Sequence, residues 1–186
     1  MSKKLLVRLV FLIMLVAPAP APAQKQAGRT GPPRLSMPPE VAKTAEAIQG
    51  TWAGSMVANV PGYPSESFEW TMDCRVVARG AGVSCTNKGK ASIGVMAESC
   101  LLAYDPEGKA VHYMCVTSMG EVHDHKGQWK DEKTIEFEPL RGGMMGQQVT
   151  ETNKWYFPTP DTIDKTSEVK LPDGSTMSFE FKGKRQ

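Results

Sequence analysis

No apolar run in this sequence is long enough to cross a bilayer comfortably, and the chain carries no large excess of either charge. A Gly-x-Ser-x-Gly nucleophile elbow is missing, since Gly54-Ser55 lacks the remainder. P-loop and dinucleotide-binding fingerprints are absent too. Carboxylates are scattered, and none are selected as a hydrolytic pair. Asn59, Asn87 and Asn153 all fail the N-glycosylation pattern. Beyond Thr51 there is no helical periodicity and no βαβ spacing, which argues against a parallel sheet. Together these absences place a binding or structural role ahead of an enzymatic one.

The N-terminal segment reads as an export signal. Lys3, Lys4 and Arg8 form a basic region, and Leu9–Val16 is an apolar run of signal-peptide length. Ala21-Pro22-Ala23 fits a small-x-small cleavage site, so residues 1–23 are expected to be removed; an uncleaved anchor is the alternative. Their three basic residues account for the positive sign, so the formal charge falls from +2 to −1 on cleavage. A near-neutral chain has no electrostatic footprint for nucleic acid. The expected location is periplasmic or extracellular. Residues 24–36 are rich in Pro, Gly and basic residues and read as a disordered linker.

Residues 37–49 change character. Pro38 and Pro39 suit a helix start, Val41, Ala45 and Ile48 share one face, and Gly50 stands where a C-cap would be. From residue 50 to 186, short alternating segments are separated by Gly, Pro and Asp turns. The clearest runs through Phe68, Trp70, Met72, Cys74 and Val76, with Glu69, Thr71 and Asp73 on its solvated side. About ten such strands follow one another, and Gly142–Gly146 reads as a flexible loop between two of them. Short connections make sequence neighbours sheet neighbours, and closure removes both the wet apolar face and the open edges. The expected fold is all-β: an antiparallel up-and-down barrel with a short N-terminal helix.

Four cysteines in an exported chain point to disulfides. A two-residue turn at Arg79-Gly80 sets Cys74 opposite Cys85, and a turn centred on Glu107-Gly108 sets Cys100 opposite Cys115. Directly opposed residues lie about 4.5–5.5 Å apart at Cα, within bridging range. The expected pairs are therefore Cys74–Cys85 and Cys100–Cys115; a one-residue bulge in either hairpin would undo them.

Gly50-Thr51-Trp52, after a short helix and ahead of an antiparallel up-and-down set, resembles the Gly-x-Trp opening of lipocalins and the wider calycin group. The resemblance implies that Trp52 closes one end of the barrel beneath a basic side chain near the last strand, either Lys182 or Arg185. A second resemblance is to a bacterial exported family called domain of unknown function 1579. It rests on Tyr104-Asp105, Gly108-Lys109, Ser118-Met119-Gly120, Gly127-Gln128-Trp129, Met144-Met145-Gly146-Gln147 and Pro172-Asp173-Gly174, in that order. It implies a lipocalin-like barrel and no established activity. The cysteines and His123-Asp124-His125 depart from its pattern.

Two sites are candidates. Met56, Phe68, Trp70, Met72, Met96 and Tyr113 are expected to line the interior, where methionines adapt to a small apolar ligand; the alternative is that they fill it. His123 and His125 share a strand face, and His112 lies on the preceding strand. Convergence of the three would suit zinc, copper or haem iron; the alternative is a solvated polar face.

Overall fold

The computed structural model describes residues 38–144 and 146–186. The expected signal peptide (1–23) and linker (24–36) lie outside them. Helix α1 spans Pro39–Ile48, followed by β1 Gly50–Asn59, β2 Glu66–Val77, β3 Gly82–Ala91, β4 Gly94–Asp105 and β5 Ala110–Thr117. The chain continues as β6 Val122–Trp129, β7 Thr134–Phe137, β8 Leu140–Met144, β9 Gln147–Tyr156, β10 Thr162–Lys170 and β11 Thr176–Arg185.

All pairings are antiparallel, and β10 pairs with both β9 and β11, so the ladder closes. Strands β7 and β8 share one edge of β9: β7 takes residues 154–156 and β8 takes residues 147–151. They count as one position, and the structure is a closed ten-strand antiparallel barrel. This corrects the reading of Gly142–Gly146 as a loop. Gly142, Gly143 and Met144 are strand residues opposite Val149, Gln148 and Gln147. Four-residue β7 covers only the far end of ten-residue β9, and the unpaired remainder of that edge recruits Leu140–Met144 after the break at Pro139.

Alternation sets the interior. Phe68, Trp70, Met72 and Cys74 are buried along β2, while β9 buries Val149, Glu151 and Trp155 at every second or fourth position. The hairpin register places Cys74 opposite Cys85 and Cys100 opposite Cys115, and both disulfides are formed. Each turn uses four residues between paired strands rather than two, Ala78–Ala81 and Pro106–Lys109. The widening is symmetric, so the register is unchanged. Cys85 also stands opposite Cys100, which makes one inward row of four sulfurs across β2–β5. Narrow and wide pairs alternate along such a row. Both bonded pairs are narrow, at 4.1 Å between Cα atoms, so the Cys85–Cys100 pair between them is the wide kind.

One barrel end is plugged. Trp52 is fully buried, and its Nε1 donates to Ile48 O at 2.8 Å. The guanidinium of Arg185 lies 4.3 Å above its ring, whereas Lys182 is exposed. Arg185 also donates to Gln49 O, to Ala47 O at 3.3 Å and to Pro160 O at 2.9 Å. It thus ties the last strand to the C-terminal carbonyls of α1, where positive charge is favoured. The cap residue is Gln49, and Gly50 begins β1 at φ +118°. A Cβ at Gly50 would sit 3.1 Å from Arg185 Nη1, so glycine there serves both the backbone turn and the arginine. Helix α1 buries Val41, Thr44, Ala45 and Ile48, and Thr44 Oγ1 accepts from Trp129 Nε1 at 2.9 Å.

Two outcomes follow from this closure. Trp52→Ala removes a fully buried aromatic and is expected to lower stability by about 3–5 kcal/mol in chemical denaturation; a loss under about 1 kcal/mol would mean that the plug does not pack as described. Non-reducing peptide mapping is expected to recover Cys74–Cys85 and Cys100–Cys115, and a Cys85–Cys100 peptide would contradict the pairing.

Candidate functional site

The barrel holds a cavity of about 110 Å³. It reaches the rim at Thr117, Ser118 and Met119, in the turn between β5 and β6, at the end opposite α1. One wall, from β11, β1 and β2, is apolar: Met56, Phe68, Trp70, Phe179 and Phe181. The facing wall, from β5, β6, β9 and β10, is polar: Tyr113, His123, His125, Glu151, Asn153 and Lys165. Met96 and Glu98 of β4 and Glu121 also line it. Of the six interior residues expected from sequence, Met56, Phe68, Trp70, Met96 and Tyr113 face this cavity. Met72 is buried in the core without lining it.

The histidines divide. Register sets His125 opposite Tyr113 and His123 opposite Cys115, and both partners point inward. Their side chains are 2% and 12% exposed, so the solvated-face alternative does not hold for them. His112 pairs instead with Lys126 on the outer face, where its Nδ1 lies 3.2 Å from Asp124. It does not join the other two, a correction with a simple cause. With Tyr113 and Cys115 inside, alternation forces His112 outside.

Glu151 takes the third place, and sequence reasoning missed it. It shares the inward face of β9 with Val149 and Trp155, so its position was readable from Trp155. Its Oε1 accepts from Ser167 Oγ at 2.7 Å and Asn153 Nδ2 at 2.9 Å. Its Oε2 faces His123 Nδ1 at 3.1 Å and His125 Nε2 at 3.4 Å. Beyond His123, Glu121 Oε2 lies 3.7 Å from Nε2. Glu121 Oε1 and Glu151 Oε2 are buried without a hydrogen bond. Glu98 accepts from Asn87 Nδ2 at 2.9 Å. The Lys165 ammonium rests 4.4 Å from the Trp155 ring centre and 5.2 Å from that of Tyr113.

These surroundings split the titrations. Burial alone would raise the Glu151 carboxyl, but the close approach of His123 and the charge of His125 outweigh it, and the pKa falls to about 2. The adjoining Glu151 carboxylate raises His123, whereas burial lowers His125. Burial also lowers Lys165, and burial together with nearby Glu98 holds Tyr113 well above its usual range.

The ligating atoms of His123, His125 and Glu151 all lie within 4.8 Å of one another. Glu98, Cys100 and Cys115 are similarly close, but both sulfurs are spent in a disulfide. The cavity is far below the ~300–1,000 Å³ that drug-sized ligands occupy, and a haem macrocycle is larger still. The residues present therefore suit a bare ion and not a haem.

No family model matches the chain, and no curated protein matches it. Among solved structures, Rv2717c from M. tuberculosis superposes with a TM-score of 0.65 at 13% identity, covering 81% of this chain and 99% of that one. The S-type phycobiliprotein lyase CPES from Guillardia theta gives 0.55 at 15% identity, covering 78% and 92%. The chain is a lipocalin-like barrel. At these identities the likeness extends to fold alone.

The opposed histidines are expected to separate in an imidazole NMR titration, His123 moving above its ordinary value and His125 below it. Stability gained from Glu151 is present above its unfolded value of 4.5 and lost as pH falls toward about 2. Glu151→Gln should flatten that acid limb of the stability profile and shift His123 downward. An unchanged His123 pKa in the variant would refute the contact.

Proposed function

We propose that this chain is an exported lipocalin-like binding protein that holds a compact, largely apolar molecule in the barrel. The observation that carries this reading is the interior cavity: it is walled on one side by Met56, Phe68, Trp70, Phe179 and Phe181, and it opens to the rim. Exposed apolar side chains flank that rim. Val95 is 69% exposed, Val122 78% and Met119 41%, near the turns that join β3 to β4 and β5 to β6. They give an apolar molecule a path inward. The small volume narrows the class to ligands of a few heavy atoms, or to the tail of a longer molecule passing through the mouth. A lyase of the phycobiliprotein class among the structural neighbours is in keeping with small-molecule chemistry on this fold.

Two disulfides and the signal-like N-terminus support an oxidising compartment, periplasmic or extracellular. Among the described residues no helix is long and apolar enough to cross a membrane. The ordered motifs from Tyr104-Asp105 to Pro172-Asp173-Gly174 support kinship with the domain of unknown function 1579 family.

Native mass spectrometry of the protein from its own host is expected to show a bound small molecule. Met96→Trp, which adds bulk at the cavity wall, should weaken a bound apolar fluorophore roughly tenfold or more, about 1.4 kcal/mol. Unaltered binding in that variant, or no bound molecule and no fluorophore binding in the parent protein, would count against the interior as the site.

A further inference from the structure

We propose that His123, His125 and Glu151 form a binding site for one divalent first-row transition ion at the polar wall of the cavity. The donors are two imidazole nitrogens and one carboxylate oxygen, drawn from β6 and β9, with their ligating atoms within 4.8 Å of one another. Two nitrogens and one oxygen suit zinc, iron, cobalt or nickel better than calcium or magnesium, which favour oxygen alone.

Three further observations point to a cation. Glu151 is 8% exposed, and its Oε2, aimed at both imidazoles, has no hydrogen bond; Glu121 Oε1, also buried, has none either. The remaining polar contacts are arranged as supports. Ser167 and Asn153 hold Glu151 Oε1, which leaves Oε2 to face the imidazoles. Glu121 stands behind the far nitrogen of His123 at 3.7 Å, the place of a carboxylate that orients a ligating histidine. Three carboxylates, Glu98, Glu121 and Glu151, also line the cavity beside the single lysine Lys165, a lining that favours a cation.

Three protein ligands leave the rest of the coordination shell facing the cavity, open to water or to a donor atom of a cavity ligand. The site does not rest on the small-molecule reading. It is tested with metal alone, so failure of one leaves the other standing.

The experiment is titration of the disulfide-bonded protein with Zn²⁺ in chelator-free buffer, read by calorimetry and by imidazole NMR. The expected result is one ion per chain, with the His123 and His125 resonances shifting and those of His112 unmoved. Co²⁺ in place of Zn²⁺ should give visible bands without thiolate charge transfer. His123→Ala and Glu151→Gln should each weaken binding by at least about tenfold, while His112→Ala on the outer face leaves it unchanged. Circular dichroism of each variant distinguishes lost binding from lost fold, and the NMR readout needs no variant at all. The proposal is overturned if the parent protein binds no Zn²⁺ at micromolar concentrations, or if binding shifts His112 and spares the inner pair. It is equally overturned if folded His123→Ala and Glu151→Gln retain parental affinity, which would leave the cluster as an ion-pair network only.

Discussion

A strand has two faces and no third, and in a closed barrel that constraint runs through every hairpin without interruption. Once Trp70 is inside, the β2–β3 register fixes Cys85, the next hairpin fixes Cys100, and the next fixes Cys115. The same parity carries on to His123 and His125 on β6. The disulfides and the histidine pair are thus consequences of one alternation. The disulfides protect it in turn: a one-residue slip in β2–β3 or β4–β5 would part the sulfurs and turn the site inside out.

Closure at the far end depends on a different balance. The barrel needs an apolar plug, which Trp52 supplies, yet the indole nitrogen and the last carbonyls of α1 must also be satisfied away from water. Ile48 O accepts from the indole, and the Arg185 guanidinium takes the helix-terminal carbonyls while covering the ring face. One arginine does this better than a lysine could, because its planar fork reaches several acceptors and stacks at the same time. The resemblance to lipocalins left Lys182 and Arg185 equal. Strand parity distinguishes them, since Lys182 lies on the outward face beside inward Phe181, and Arg185 stands opposite Trp52 at the strand end.

Most of the fold was legible in the sequence, because turn residues and alternation are local signals. What was not legible depended on contacts across the barrel. In the sequence Gly142–Gly146 reads as a loop because its glycines look like a break; only the unpaired edge of β9 makes a strand of Leu140–Met144. His112 was grouped with the inner histidines although the inward placing of Tyr113 already excluded it. Glu151 was overlooked for the opposite reason. A carboxylate in the run Thr150-Glu151-Thr152 looks like surface, and its role appears only when β9 curls round to face β6.

The polar wall sets the cost of this interior. Buried charge is expensive, and replacing a buried ion cluster by well-packed apolar residues is often neutral or stabilising. A barrel that was simply a packed core would gain by such replacement at Glu151, where Val149 and Trp155 already flank it on the same face. Here the charged groups are concentrated on one wall and aimed at a cavity, and the two imidazoles differ in basicity because Glu151 raises His123 while burial lowers His125. The opposite wall contributes almost nothing but hydrocarbon and sulfur. An interior divided in this way stabilises the fold less than a uniform one would. What the division leaves is a cavity with hydrocarbon on one side, at Phe68, Trp70 and Phe181, and charged and polar groups on the other.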